Sequence, residues 1–173
     1  GVEVPYVTGF YENTVICYSY SKSLSLPGER IGYLVIPDAL KDSQEVFNAA
    51  TIANRVMGAV NAPSLMQRVI KRCVDENVNL EAYDRNRNLL YNGLRDLGFE
   101  CIKPEGAFYL FLKSPEADEK KFCASCKKYN ILVVPGSSFA CPGYVRISYC
   151  VSYGQIERSL PAFRKVAADY GLV

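Results

Sequence analysis

The sequence predicts an α/β chain in two unequal parts, on three observations. Two short segments near its start, residues 14–20 and 30–37, are rich in the β-branched and aromatic side chains typical of strands. A long region of helical periodicity follows, and the remainder alternates short apolar strands with helices. Because two strands and one helix are too few for a sheet domain, we interpret residues 1–60 as the end of a larger α/β domain. Residues 61–173 are then an interdomain helix and a small α+β domain.

The first two strands are predicted to pair antiparallel. Only nine residues, 21–29, separate them, whereas a parallel crossover needs about a dozen or more. We expect the first strand to be buried and the second to end at Pro37, which cannot continue a central strand. The connecting segment is interpreted as a loop, rich in serine and with one lysine, Lys22.

Helical periodicity then dominates up to about residue 98. A helix is predicted from a cap at Asp42 or Ser43 to about residue 60. Residues 64–98 form either one bent helix or two helices that meet near residues 77–79.

The remainder predicts the small α+β domain. Its four strands are expected over residues 100–103, 106–112, 131–134 and 144–149. One helix is predicted over residues 118–129 and another after Ser152, which forms a capping box with Gln155. Pro161 inside the last helix predicts a kink.

Composition and charge exclude several classes of function. The chain has 173 residues, of which 49% are hydrophobic and 22% charged, as in globular rather than disordered proteins. A net charge of +2 does not fit a strongly basic nucleic-acid-binding protein. No apolar run reaches the roughly 18 residues of a membrane span, and no signal peptide is visible. We therefore expect a cytoplasmic protein without nucleic-acid or membrane partners.

The histidine and cysteine content argues against several kinds of catalytic and metal site. The chain has no histidine, which excludes a Ser–His relay or a histidine-bound metal within it. Its seven cysteines suit a reducing compartment. Only Cys123 and Cys126 stand at a motif spacing, and zinc needs four ligands. We interpret them as free buried thiols and expect no metal site, with a redox or metal role as the alternative.

The predicted antiparallel pair brings a lysine and an arginine to one rim of the sheet. Lys22 follows the first strand and Arg30 begins the second, with Ser19 and Ser21 beside them. A lysine amine near another cation loses its proton more readily and can bond a carbonyl carbon. A guanidinium and serine hydroxyls suit a phosphate. The rim therefore predicts a ligand with a carbonyl and a phosphate; the alternative is an ordinary solvated turn.

The run of fourteen residues that contains this rim, residues 19–32, resembles the pyridoxal-phosphate attachment signature of class I/II aminotransferases, in the fold-type I aspartate aminotransferase superfamily. That signature has small polar residues before a lysine, an arginine eight residues after it and a glycine two residues later, here Lys22, Arg30 and Gly32. Residues 104–111, 134–139 and 143–148 resemble motifs of the same family's small domain, in the same order. The resemblance covers essentially the whole chain, as the C-terminal part of such an enzyme.

The resemblance implies transfer of an amino group between an amino acid and a 2-oxo acid, with pyridoxal 5′-phosphate as cofactor. Lys22 would form the Schiff base and carry the proton. Ser19 and Arg30 would bind the cofactor phosphate, with Ser21 as a weaker candidate. Arg146 would bind the substrate α-carboxylate, which suits a guanidinium placed between apolar strand residues; a structural ion pair is the alternative. A homodimer is also implied.

The family's other cofactor-binding residues lie upstream of the lysine by more residues than this sequence provides. They are an aspartate on the pyridine nitrogen, a tyrosine and an asparagine on the ring oxygen, and an aromatic ring stacked on the cofactor. Asp38 and Asp42 lie downstream and do not match that aspartate. Together with a first residue, Gly1, that is not methionine, this leads us to expect a fragment or processed product that is inactive alone.

Two alternatives remain open. One is a carbon–sulfur β-lyase or a cyclopropane-forming synthase on the same fold, because the side-chain pocket decides the fate of the carbanion. The other is a non-catalytic interaction domain with a basic patch at Lys120, Lys121, Lys127 and Lys128. Nearby acidic residues favour a solvated helix face for that patch instead.

Overall fold

The computed structural model describes residues 4–173 and has the predicted α/β fold. The chain separates into two compact units between Val78 and Asn79. The predicted boundary near residue 60 concerns the domains of the parent protein and stays a prediction; residues 1–3 of its first part lie outside the described range.

The first unit has a 3₁₀ turn, Val7–Gly9, followed by a two-stranded ribbon. Strand β1 (Ile16–Ser19) leads into a single helical turn, α1 (Tyr20–Ser23), and strand β2 (Gly32–Val35) returns beside β1. The predicted antiparallel pairing is confirmed, with Ser19 opposite Gly32. The predicted burial of the first strand is wrong, since its residues are half-buried or exposed. A strand is buried when another layer packs on its face, and within residues 4–173 no further element packs extensively on this ribbon.

Two helices complete the first unit. Helix α2 (Ser43–Val56) starts at the predicted place, although the Asp42 side chain makes no capping hydrogen bond. It ends before the predicted residue 60 because the backbone turns left-handed at Gly58 (φ 79°). Helix α3 (Ser64–Cys73) follows.

The second unit begins with α4 (Leu80–Asp96), so residues 64–98 are two helices rather than one bent helix. Asn79 caps α4, because its side-chain oxygen accepts the Ala82 N–H at 3.0 Å. The helix terminates at Gly98, whose φ of 80° is the left-handed conformation that glycine adopts without strain.

The second unit contains a four-stranded antiparallel sheet with two further helices. In chain order the elements are β3 (Cys101–Ile102), β4 (Tyr109–Lys113), α5 (Glu119–Lys128), β5 (Val134–Pro135), β6 (Tyr144–Ser148) and α6 (Tyr153–Asp169). The strands lie in the order β3-β4-β6-β5. The third predicted strand is shorter than expected, starting only at Val134.

One face of this sheet forms the core and the other is partly covered. Leu110 and Leu112 of β4 and Val145 of β6 are completely buried together with apolar residues of α4, α5 and α6. Successive strand residues point to opposite faces. The alternate residues of β4 and β6, including Tyr109 and Arg146, are therefore on the other face, where both are half-buried.

The cysteines are free thiols; of the pair predicted to be buried, Cys126 is buried and Cys123 is only half-buried. Cys126 of α5 is buried in the core, and burial raises the pKa of its thiol to about 12. Within residues 4–173, no group of three metal-ligating side chains comes together. No helix in the same range has the length and apolar character to cross a bilayer.

Candidate functional site

The candidate lysine lies on an ordered turn directly after β1. Ser19 ends the strand and caps α1: its Oγ accepts the Ser21 N–H at 3.3 Å and donates to the Ser21 Oγ at 2.9 Å. Serine is a preferred capping residue because its hydroxyl satisfies an amide left over at the helix start. Lys22 is therefore part of this turn, not of a loop as predicted.

Arg30 reaches the same end of the ribbon. The Tyr20 N–H donates to the Ile31 carbonyl at 3.2 Å, which continues the strand pairing by one more bond and joins the backbones before Lys22 and after Arg30. The Arg30 guanidinium donates to the Pro27 carbonyl at 2.8 Å. The structure thus brings the predicted lysine and arginine segments together, as antiparallel pairing requires.

Two backbone features make this end of the ribbon unusual. Arg30 has a φ of 50°, a left-handed conformation that costs a non-glycine residue about 1 kcal/mol or more. Gly32 cannot carry a side chain, because a Cβ there would be 2.3 Å from the Tyr18 carbonyl oxygen. Six other non-glycine residues of the described range also have a positive φ, so the role of Arg30 stays a prediction.

Three tyrosines beside the turn were missed by the sequence analysis. The ring of Tyr18 lies 5.0 Å from that of Tyr33 on the opposite strand and 5.3 Å from that of Tyr20. Desolvation, reinforced by the neighbouring hydroxyls, raises the pKa of Tyr33. Cross-strand aromatic pairs stabilise a sheet, so this cluster supports the strand end from which Lys22 follows. The sequence feature that could have indicated this cluster was the spacing of Tyr18 and Tyr20, which stand two residues apart at the end of the first strand.

Arg146 in the second unit is held between two aromatic rings. Its guanidinium carbon lies 3.6 Å from the centre of the Phe139 ring and 4.1 Å from that of Tyr109. Such contacts attract a guanidinium to the ring face and orient its plane. The alternative of a structural ion pair is not seen, because within the described range the ion pairs join other residues, Arg87 with Asp84 and Lys113 with Glu100.

Phe139 and Tyr109 are therefore site residues that sequence reasoning missed. Phe139 lies at the end of a 3₁₀ turn, Gly136–Phe139, which needs a glycine at its start. A Cβ on Gly136 would lie 2.1 Å from the Cys141 carbonyl oxygen. The motif at residues 134–139 signalled this turn, but not which residue its phenylalanine contacts.

A cleft elsewhere in the second unit has no relation to these residues. It measures about 430 Å³ and is lined by core-side residues such as Leu90, Ile147 and Ile156. None of the predicted site residues lines it, so we place no function there.

Known proteins match this chain along almost all of its length. The model of the family described as aminotransferase class I and II matches residues 7–163. The chain is 32% identical over 173 residues to aromatic-amino-acid aminotransferase 2 of Thermococcus litoralis (95% of this chain, 44% of that protein). It is 34% identical over 170 residues to aspartate aminotransferase of Bacillus subtilis (89% and 41%).

A solved structure agrees with these relatives. The crystal structure of an amino transferase from Eubacterium rectale matches with a TM-score of 0.93 and 50% identity, covering 99% of this chain and 43% of that one. The chain thus spans less than half the length of the relatives it matches. The matched region contains both the lysine-bearing ribbon and the arginine-bearing sheet, and this chain belongs to the aminotransferase class I and II family.

Proposed function

We propose that the chain is the lysine-bearing part of an aminotransferase, which moves an amino group from an amino acid to a 2-oxo acid. The observation that carries the proposal is the meeting of the Lys22 and Arg30 segments at one end of the β-ribbon, joined by the Tyr20–Ile31 hydrogen bond. The relatives described above are named aminotransferases. Because the chain spans under half of their length, the complete activity belongs to the parent protein.

The family depends on pyridoxal phosphate, and the donors at the ribbon end fit that molecule. A lysine amine suits its aldehyde, while an arginine and two serine hydroxyls suit its phosphate. The Arg30 guanidinium has five N–H donors, and the bond to Pro27 uses one of them. Ser19, Ser21 and Arg30 would bind the phosphate, and Lys22 would hold the aldehyde carbon. When bound, the cofactor supplies an electron sink for negative charge at the substrate α-carbon.

Lys22 would also move the proton of the reaction. A lysine amine in its neutral form is a general base. In the proposed role, the substrate amine would replace Nζ of Lys22 at the aldehyde carbon, and the freed Nζ would take the proton from the substrate α-carbon and return one to the former aldehyde carbon. The ordered turn α1, capped by Ser19, would keep the amine within reach of both atoms, which is the condition for general acid–base catalysis.

Arg146 would bind the α-carboxylate of the substrate. Its guanidinium is half-buried, lies against two ring faces and has no carboxylate partner within residues 4–173. A planar guanidinium binds a carboxylate through two parallel hydrogen bonds, so orientation of its plane by the rings favours binding. We propose the substrates as amino and 2-oxo acids, the parent as a homodimer and the location as the cytoplasm.

Labelling of the chain tests the role of Lys22. The purified 173-residue chain is incubated with pyridoxal phosphate, reduced with borohydride and digested for mass spectrometry. We expect the label on Lys22, and Lys22→Arg should remove it, whereas the matched control Lys41→Arg should leave it unchanged. Label on Lys22 no faster than on Lys41 would contradict the proposed role.

Activity assays test the reaction. We expect no amino transfer by the isolated chain, and turnover of an amino acid by it would overturn that expectation. In the parent protein, product formation that requires an added 2-oxo acid supports transfer. Ammonia and pyruvate released without an acceptor would instead indicate a β-lyase.

A further inference from the structure

Glu119, at the start of α5, is a buried acid to which the proposed function assigns no role. Only 7% of its surface is exposed. Its carboxylate accepts the Gly143 N–H at 3.3 Å, and the hydroxyl and backbone N–H of Ser137 lie near enough to lower its pKa by stabilising the charged form. A buried carboxylate is costly unless donors of this kind satisfy it, so the loop and the acid are held to each other.

The two partners of Glu119 bracket the loop that covers Arg146. Ser137 lies two residues before Phe139, and Gly143 lies three residues before Arg146. Gly143 is fixed from its other side as well, because the Ser114 N–H donates to its carbonyl at 2.9 Å. The Glu119 carboxylate is therefore bonded to the exit of this loop at Gly143 and lies beside its entry at Ser137.

The loop has a backbone that requires such support. Ala140 and Gly143 both adopt left-handed conformations, with φ of 55° and 79°, and the first of these is unfavourable for a residue with a Cβ. The loop closes on itself through the Cys141 N–H, which donates to the Gly136 carbonyl at 3.0 Å, and Glu119 adds an attachment from outside the loop that favours one position of the Phe139 ring.

Ordinary helix capping does not account for Glu119. Asp118 already caps α5, since its carboxylate accepts the Lys120 N–H at 3.0 Å. No ion pair of Glu119 with a lysine or arginine is found within residues 4–173. Hydrogen bonds, first that from the Ser137 hydroxyl, hold the pKa of Glu119 below its usual range, so the carboxylate is ionised at neutral pH.

We propose that Glu119 is a positioning residue for the carboxylate site at Arg146: it fixes Ser137 and Gly143 and so holds Phe139 against the guanidinium. This inference rests on the proposed function of Arg146. It assigns to Glu119 no contact with substrate or cofactor; its effect is transmitted through Phe139, which orients the arginine.

Nuclear magnetic resonance of the 173-residue chain tests the positioning directly. We expect the Phe139 ring current to shift the Arg146 Nε–H resonance upfield, because the guanidinium carbon lies 3.6 Å from the ring centre. Glu119→Ala should move this resonance towards the position of a solvated arginine, and Glu119→Gln, which keeps an acceptor, should restore part of the shift. Ser137→Ala alters an exposed residue and replaces Glu119→Ala in this experiment if that variant does not fold. The matched control Glu100→Gln should have no effect.

Acetate titration of the same resonance tests the consequence for binding. We expect saturable movement in the original chain and a roughly two- to fivefold weaker midpoint in Glu119→Ala, as for loss of one cation–π contact. An unchanged resonance in both Glu119→Ala and Ser137→Ala would overturn the positioning role while leaving Arg146 as proposed. A normal ring-current shift without any response to acetate would instead overturn the proposed function of Arg146.

Discussion

Substitution of Gly32 by alanine probes the contact that brings the lysine and arginine segments together. The new Cβ would stand 2.3 Å from the Tyr18 carbonyl oxygen, a backbone atom that no side-chain rotation can move away. The strands β1 and β2 must therefore separate locally. Forced overpacking of this kind costs about 1–3 kcal/mol, and we expect the cost to appear as fraying of the ribbon end.

Amide hydrogen exchange measures that fraying at the hydrogen bond between Tyr20 and Ile31. The Tyr20 N–H, which donates to the Ile31 carbonyl, should exchange roughly 5- to 150-fold faster in Gly32→Ala, as the same 1–3 kcal/mol requires. Selective labelling of Lys22 by pyridoxal phosphate should fall in parallel. Gly28→Ala is the matched control, because a Cβ at Gly28 meets no atom within 4 Å.

Equal behaviour of the Gly32→Ala and Gly28→Ala variants would refute this explanation. If Gly32→Ala and Gly28→Ala show the same exchange rate at Tyr20 and the same labelling of Lys22, the close approach at Gly32 is not what holds the ribbon end. The glycine of the signature would then need another explanation.

Three further predictions concern the core and its titration. Because burial raises the pKa of Cys126 to about 12, iodoacetamide at pH 8 should modify the exposed Cys17 and spare Cys126 until the chain unfolds; labelling of native Cys126 would contradict this. The pKa of Glu119 is lowered in the folded state, so its ionised form stabilises the fold above about pH 4.3, and this stabilisation is lost as pH falls through the folded pKa. Urea midpoints of the original chain and Glu119→Gln should accordingly differ at pH 7 and converge in acid, and a constant difference would refute the linkage. Leu112→Ala, at a completely buried position, should lower the free energy of unfolding by about 3–5 kcal/mol, whereas Ile102→Ala on an exposed position should change it by about 0.5 kcal/mol or less.

Local patterns explain why the order of elements could be predicted. Pairing of β1 with β2 followed from loop length alone, and Ser152 caps α6 through the Gln155 N–H, as the sequence indicated. These features depend on residues close together along the chain. Their exact limits were less predictable, because they depend on cross-strand pairing: β5 begins only at Val134, opposite Arg146, although β6 continues to Ser148.

Burial was the weakest prediction, for a physical reason. The first strand has an apolar, β-branched composition, yet Tyr18 and Leu34 of the ribbon are exposed. Side-chain type indicates that a strand can be buried, but burial requires another layer. Within residues 4–173, no further strand pairs with the ribbon.

The sequence by itself determined the family, the chemical types at the ribbon end and the candidate roles of Lys22, Arg30 and Arg146, because these depend on residue identity at fixed spacing. Only the tertiary structure decided what surrounds them. The Phe139 ring over Arg146 and the attachment of its loop to Glu119 join residues that are far apart along the chain. Such contacts depend on how β6, α5 and the loop pack in three dimensions, which no local pattern of side chains specifies.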